Sequence, residues 1–192
     1  MNAKLEPSCY YHYYNRGNNK ENLFKEEKNY YYFLGLVKKY LSPIALVYSY
    51  CLLPNHFHLV LKIKDKNDLP KKFQTKPLSQ AFSNLFNAYA KAINKGYNRT
   101  GSLFQTKPKK IKIEDETYLR NLIVYVNTNS SHHKIADFEE YKHSSYQTLI
   151  SKLPTLLKRE SVMELFDNNE NFIYCCKIKK IDIMNKEEFL FE

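Results

Sequence analysis

Between Ile44 and Ile63 the chain carries two strand-like apolar stretches, Ile44–Leu53 and His56–Ile63, with only Pro54-Asn55 between them. A link that short folds the stretches back on each other as an antiparallel hairpin. Parallel neighbours would need a crossover of about a dozen residues or more. An antiparallel sheet is therefore expected at the centre of the chain, and the flanking elements must pack on it.

Residues 9–16, CYYHYYNR, read as a first strand, because aromatic residues favour a pleated, half-buried surface. Gly17-Asn18-Asn19 ends it. From about Lys25 to Leu41, Tyr30, Phe33, Leu34, Val37, Tyr40 and Leu41 recur at helical spacing, and Ser42-Pro43 stops the helix. Residues 64–76 are polar and read as loop. A second helix runs from about Pro77 to Gly96, with Leu78, Phe82, Leu85, Phe86, Tyr89 and Ile93 as its buried stripe.

Short strands are expected at Ser102–Phe104 and Ile111–Ile113, flanking a basic loop, Lys107-Pro108-Lys109-Lys110. Glu114-Asp115-Glu116 favour the positive end of a third helix. It should reach about Asn129 and bury Leu119, Leu122, Ile123 and Val126. Residues 141–150 and 158–166 read as helical, and 171–192 are too mixed to assign. The run Phe73–Pro77 recurs as Phe104–Pro108, too short to signal a structural repeat.

This order predicts an α+β, ferredoxin-like (split βαβ) antiparallel sheet with helices on one face and a C-terminal helical extension. One domain over 1–150 and an appended segment over 151–192 fit the length. The sheet face left open is the face that RNA-recognition modules use for stacking. Fold alone does not settle function.

Charge narrows the field. Thirty Lys and Arg against 20 Asp and Glu give a net charge of +10, and 17 Tyr and 12 Phe stand beside no Trp. A basic, tyrosine-rich surface suits a polyanion with stackable bases, which points to single-stranded nucleic acid. Arg16, Arg99, Lys107, Lys109 and Lys110 are the candidate phosphate contacts. A lysine excess drawn from an AT-rich genome would leave the same composition.

The four cysteines, Cys9, Cys51, Cys175 and Cys176, form no C-x-x-C pair. Zinc held by Cys9, His12 and the Cys175–Cys176 pair is disfavoured by that spacing. With no long apolar run, a cytoplasmic protein with reduced thiols and no membrane association is expected.

His56 and His58 lie one residue apart on the second hairpin strand. Alternation points both to one face and Phe57 to the other. Two imidazoles so placed can converge on a cation, or can simply face solvent. A two-histidine metal site needs a further ligand, normally oxygen or nitrogen. On the third helix Tyr125 and Asn129 share a face. Asn129 could give a carbonyl oxygen and Tyr125 a phenolic one, or Tyr125 could be an aromatic at the edge of the buried stripe.

Four stretches taken together are recognisable: Tyr11–Asn19 (YHYYNRGNN), Cys51–Leu61 (CLLPNHFHLVL), Asn94–Gln105 (NKGYNRTGSLFQ) and Tyr118–Asn129 (YLRNLIVYVNTN), with a weaker echo in His143–Tyr146. In that order the chain resembles the single-tyrosine HUH transposases, and most closely the REP-associated tyrosine transposase branch.

The resemblance implies a metal-dependent transesterase that nicks and rejoins single-stranded DNA at hairpin-associated sites through a 5′-phosphotyrosine intermediate. It implies His56, His58 and Asn129 as ligands of Mg²⁺ or Mn²⁺, Tyr125 as nucleophile, and a bacterial, nucleoid-associated setting. A homodimer is compatible, because the tyrosine helix of relatives serves its own chain's histidines or a partner's. Relatives commonly have Asn-Pro after this helix, whereas this chain reads Asn129-Ser130-Ser131-His132-His133. The rival reading is a domesticated module that binds hairpin DNA or RNA and cuts nothing.

Overall fold

The structure, a computed structural model, describes residues 4–105 and 107–185. In chain order its elements are β1 (Tyr10–Arg16), α1 (Glu27–Tyr40), β2 (Ala45–Leu53), β3 (His56–Ile63), α2 (Lys71–Thr75), α3 (Ser79–Gly96), β4 (Lys109–Ile113), α4 (Glu116–His132), α5 (Tyr146–Ile150), α6 (Arg159–Leu165) and α7 (Asn169–Asn185). The sheet order is β2-β3-β1-β4, with every neighbouring pair antiparallel. This is the ferredoxin-like arrangement that the hairpin and its flanking patterns predict.

Strand alternation divides the sheet into two unlike faces. Tyr11, Tyr13, Phe57, Leu59 and Leu61 point to the side where α1 and α3 pack. There Tyr13 stacks on Phe82 at 4.3 Å, and Phe57 meets Phe33 at 5.0 Å and Phe86 at 5.6 Å. Both crossover helices thus share one face, as expected. The opposite face carries His12, Tyr14, His56 and His58, paired across β1 and β3 as Tyr14↔His58 and Arg16↔His56.

That second face is not left open. Helix α4 crosses it against β2 and β3, and α7 packs on the outer side of α4. The reason lies in α4 itself. Besides the Leu119–Leu122–Ile123–Val126 stripe, it buries Val124, Asn127, Thr128, Asn129 and Ser130. A helix segment buried nearly all round, as from Leu122 to Ser130, must be sandwiched rather than laid on a surface.

A polar lock fixes α4 on the sheet. Asn127 Nδ2 donates to Ser49 Oγ at 3.0 Å, Ser145 Oγ donates to Asn127 Oδ1 at 2.7 Å, and the two serine hydroxyls lie 3.0 Å apart. All three residues are wholly buried. Tyr50 N also donates to Ser145 Oγ, and Leu52 N to the His143 carbonyl, so the 143–145 turn covers the β2 edge.

Four local readings change. Ser102–Phe104 is not a strand; only Phe104 bridges, to Gly17. Gly17 is required there, because a Cβ would sit 2.0 Å from the Glu21 carbonyl oxygen. Strand β4 begins at Lys109, two residues before the predicted start, so half the basic loop belongs to the sheet. Residues 71–75 of the predicted loop form α2. The unassigned 171–192 region contains most of α7, anchored by Phe172 and Cys176, while 186–192 lie outside the described residues.

Candidate active site

Helix α4 brings Tyr125 over the histidine face of the sheet. Its ring lies 5.9 Å from that of His58, edge-on at 85°. His56 and His58 are 5.2 Å apart, ring centre to ring centre, and also edge-to-face. Both are buried, whereas Tyr125 is half-buried and borders the cavity in front of them. One chain therefore brings Tyr125 and both predicted histidines together.

Each histidine is held through the same ring atom. His56 Nδ1 lies 2.7 Å from Asn55 Oδ1, and His58 Nδ1 lies 2.9 Å from His12 Nε2. An imidazole whose Nδ1–H is donated keeps its lone pair on Nε2, the arrangement found behind metal-binding histidines. Tyr14 stacks on both His12, at 4.5 Å, and His58, at 5.5 Å, and so stiffens the row.

The rings are neutral at ordinary pH. Burial pushes His12 down to about 3. Burial, with the nearby His133 and Arg16, likewise brings His56 down to about 3, against a smaller opposing effect of Asn129. His58 is pushed well below its usual value by burial, with His12, His56 and His133 adding to it. Neutral imidazoles are acceptors and ligands rather than cations.

Asn129 lies one turn beyond Tyr125 and is wholly buried. Its amide is close enough to favour the protonated form of His56. Yet neither its Oδ1 nor its Nδ2 has a hydrogen-bond partner of good geometry. A buried amide without well-formed hydrogen bonds is costly unless something else occupies it. Among the described residues no three His, Cys, Asp or Glu side chains could hold a metal by themselves. The groups here that could serve a divalent cation as ligands are the His56 and His58 imidazoles and the Asn129 amide.

The predicted cations separate into three groups. Arg16, Lys107 and Lys109 border the cavity of about 260 Å³ in front of His56 and His58. Lys110 does not join them: it pairs with Tyr13, on the α1/α3 face, because β4 already alternates there. Arg99 also departs. Its guanidinium donates to both oxygens of Glu21 and to the Gly101 and Ser102 carbonyls. It serves as a clamp that shapes the 97–102 loop after α3. That loop leads to Gln105, whose N–H donates to the Arg16 carbonyl and whose side chain borders the cavity.

Two residues were missed. His12 holds His58, and His133 stands 4.7 Å from His56. His133 follows Tyr125 and Asn129 at successive spacings of four, a signal present in the sequence. The zinc set of Cys9, His12, Cys175 and Cys176 is not assembled, since His12 is turned to His58 and Cys176 is buried in the core.

No protein-family model and no curated protein matches the sequence. Among solved structures the chain is similar in fold to a REP-associated tyrosine transposase bound to a REP hairpin. The TM-score is 0.63 at 12% identity, over 81% of this chain and 87% of that one.

Proposed function

We propose that the protein is a metal-dependent single-stranded DNA transesterase of the HUH tyrosine transposase type, acting at hairpin-associated sites. The observation that carries this reading is the meeting, in one chain, of Tyr125 with two buried histidines, each held at Nδ1, and the buried amide of Asn129 beside His56. A binding module needs no such set. The similarity in fold to a hairpin-bound transposase points the same way.

A divalent cation, Mg²⁺ or Mn²⁺, would be held by His56, His58 and Asn129, and would supply charge neutralisation at the scissile phosphate. Arg16, Lys107 and Lys109 bring the strand to the cavity through its phosphates. The Tyr125 hydroxyl attacks phosphorus in line and gives its proton to water; the P–O3′ bond breaks, and the departing 3′-oxygen takes a proton from water. The strand then carries a free 3′-hydroxyl on one side and a 5′-phosphotyrosine on the other. The ester bond is retained, so a second 3′-hydroxyl can reverse the step and rejoin the DNA.

The test is incubation with hairpin-bearing single strands in Mn²⁺ or Mg²⁺. A covalent protein–DNA adduct is expected, absent in chelator and absent in Tyr125→Phe. A folded protein that binds the strands equally with and without metal, and yields no adduct on a broad hairpin panel, is a binder rather than an enzyme.

A further inference from the structure

A second cavity, of about 370 Å³, opens beside the first and shares Tyr14, His58, Lys109 and Tyr125 with it. Its volume lies within the range of small-molecule sites, about 300–1,000 Å³. The floor is the β1–β4 surface, from Tyr14 to Ile111, and the wall is the Tyr118–Asn121–Tyr125 face of α4. Residues i, i+3 and i+7 of a helix line up on one side, so these three present a continuous edge.

Three features say what fits. Ile111 on the floor and Tyr118 on the wall are both partly exposed, 39% and 36%. Asn121, one turn beyond Tyr118 on the same wall, is exposed and offers both a donor and an acceptor, the pairing that reads a base edge. Lys109 and Lys179 border the same slot with positive charge, and the Lys109 ammonium sits 5.6 Å from the centre of the Tyr14 ring. Flat apolar walls, one amide and flanking ammonium groups match a nucleobase attached to a phosphate chain.

We propose that this slot holds one unpaired nucleobase of the bound single strand, stacked on Tyr118 and contacted by Asn121. It adjoins Tyr125, so the base is the one next to the phosphate that Tyr125 attacks. That last placement rests on the transesterase reading; the stacking does not.

The test separates the two. Full-length protein in chelator, so that nothing is cut, is mixed with a hairpin-bearing single strand carrying 2-aminopurine at each flank position in turn. Quenching is expected at one position, and Tyr118→Ala is expected to remove it and weaken binding about ten-fold. Asn121→Ala should keep the quench and flatten the base preference there. If no quench depends on Tyr118, the slot is not a base site, whether or not the strand is ever cut. A Tyr118-dependent quench without a covalent adduct in Mn²⁺ or Mg²⁺ upholds the slot and sinks the transesterase reading.

Discussion

His12 Nε2 lies 2.9 Å from His58 Nδ1, with both rings buried and Tyr14 stacked against each. For His58 to offer Nε2 to a cation, its Nδ1 must donate, and His12 is the acceptor. His12→Phe keeps the flat ring beside Tyr14 and removes that acceptor. We expect it to weaken Mn²⁺ binding about 10–100-fold, the usual effect of losing such a partner. Titration calorimetry reads this directly, and ¹⁵N-edited spectra of the metal-free protein read the His58 tautomer. Equal Mn²⁺ affinity in His12→Phe would show that His12 only fills space.

The cations divide by what they touch, and salt dependence exposes the division. Arg16→Ala or Lys109→Ala should each lower the log–log salt slope of single-strand binding by about 0.7, the share of one phosphate contact. Arg99→Ala should leave the slope unchanged and lower the melting temperature instead, because it breaks a clamp on Glu21 and the Gly101 and Ser102 carbonyls. An Arg99→Ala slope that falls like that of Lys109→Ala would return Arg99 to the DNA interface.

The sheet order was legible because each strand carried its own signal, and the Pro54-Asn55 link left the hairpin no alternative. Tyr125 and Asn129 were legible through helical spacing, and His133 was equally available at the next turn of the same face. His12 was not, since its role depends on cross-strand register that no local pattern encodes. Lys110 and Arg99 failed for different reasons. Lysine is depleted in strands, so 107–110 read as loop and the alternation that turns Lys110 away went unseen. Arg99 has its partner Glu21 far along the chain, and a count of charges cannot tell a clamp from a phosphate contact. Helix α7 was obscured by exposed Tyr174 and Ile178, which put apolar residues on its outer side and blur the stripe.

Asn127 ties α4 to β2 and to the 143–145 turn through two buried hydrogen bonds, to Ser49 and from Ser145. Asn127→Ala takes one buried partner from each of Ser49 and Ser145 and leaves the two hydroxyls to each other. A buried hydrogen bond contributes about 0.5–1.5 kcal/mol, so losing two predicts a drop of about 1–3 kcal/mol in urea unfolding. Because Tyr125 rides on the same helix, adduct formation should fall even where the variant remains folded. A loss below about 0.5 kcal/mol would mean that α4 is held by its apolar contacts alone.

Acid should unfold this protein through its histidines. His12 and His56 titrate at about 3 in the folded chain, against about 6.5 when unfolded. Between those values the unfolded chain binds protons that the folded one refuses. Stability is then fully present above about pH 6.5 and falls as the pH drops toward 3, by up to about 1.4 kcal/mol per pH unit for each histidine. Measured in chelator, the denaturation midpoint should decline steadily below pH 6.5, and His12→Phe should flatten that decline by removing one titrating group outright. Saturating Mn²⁺ should steepen the acid side, because protons and metal compete for the same nitrogens. A stability that is flat from pH 7 to 4 without metal would mean that these rings accept protons in the folded state and are not the neutral donors the site requires.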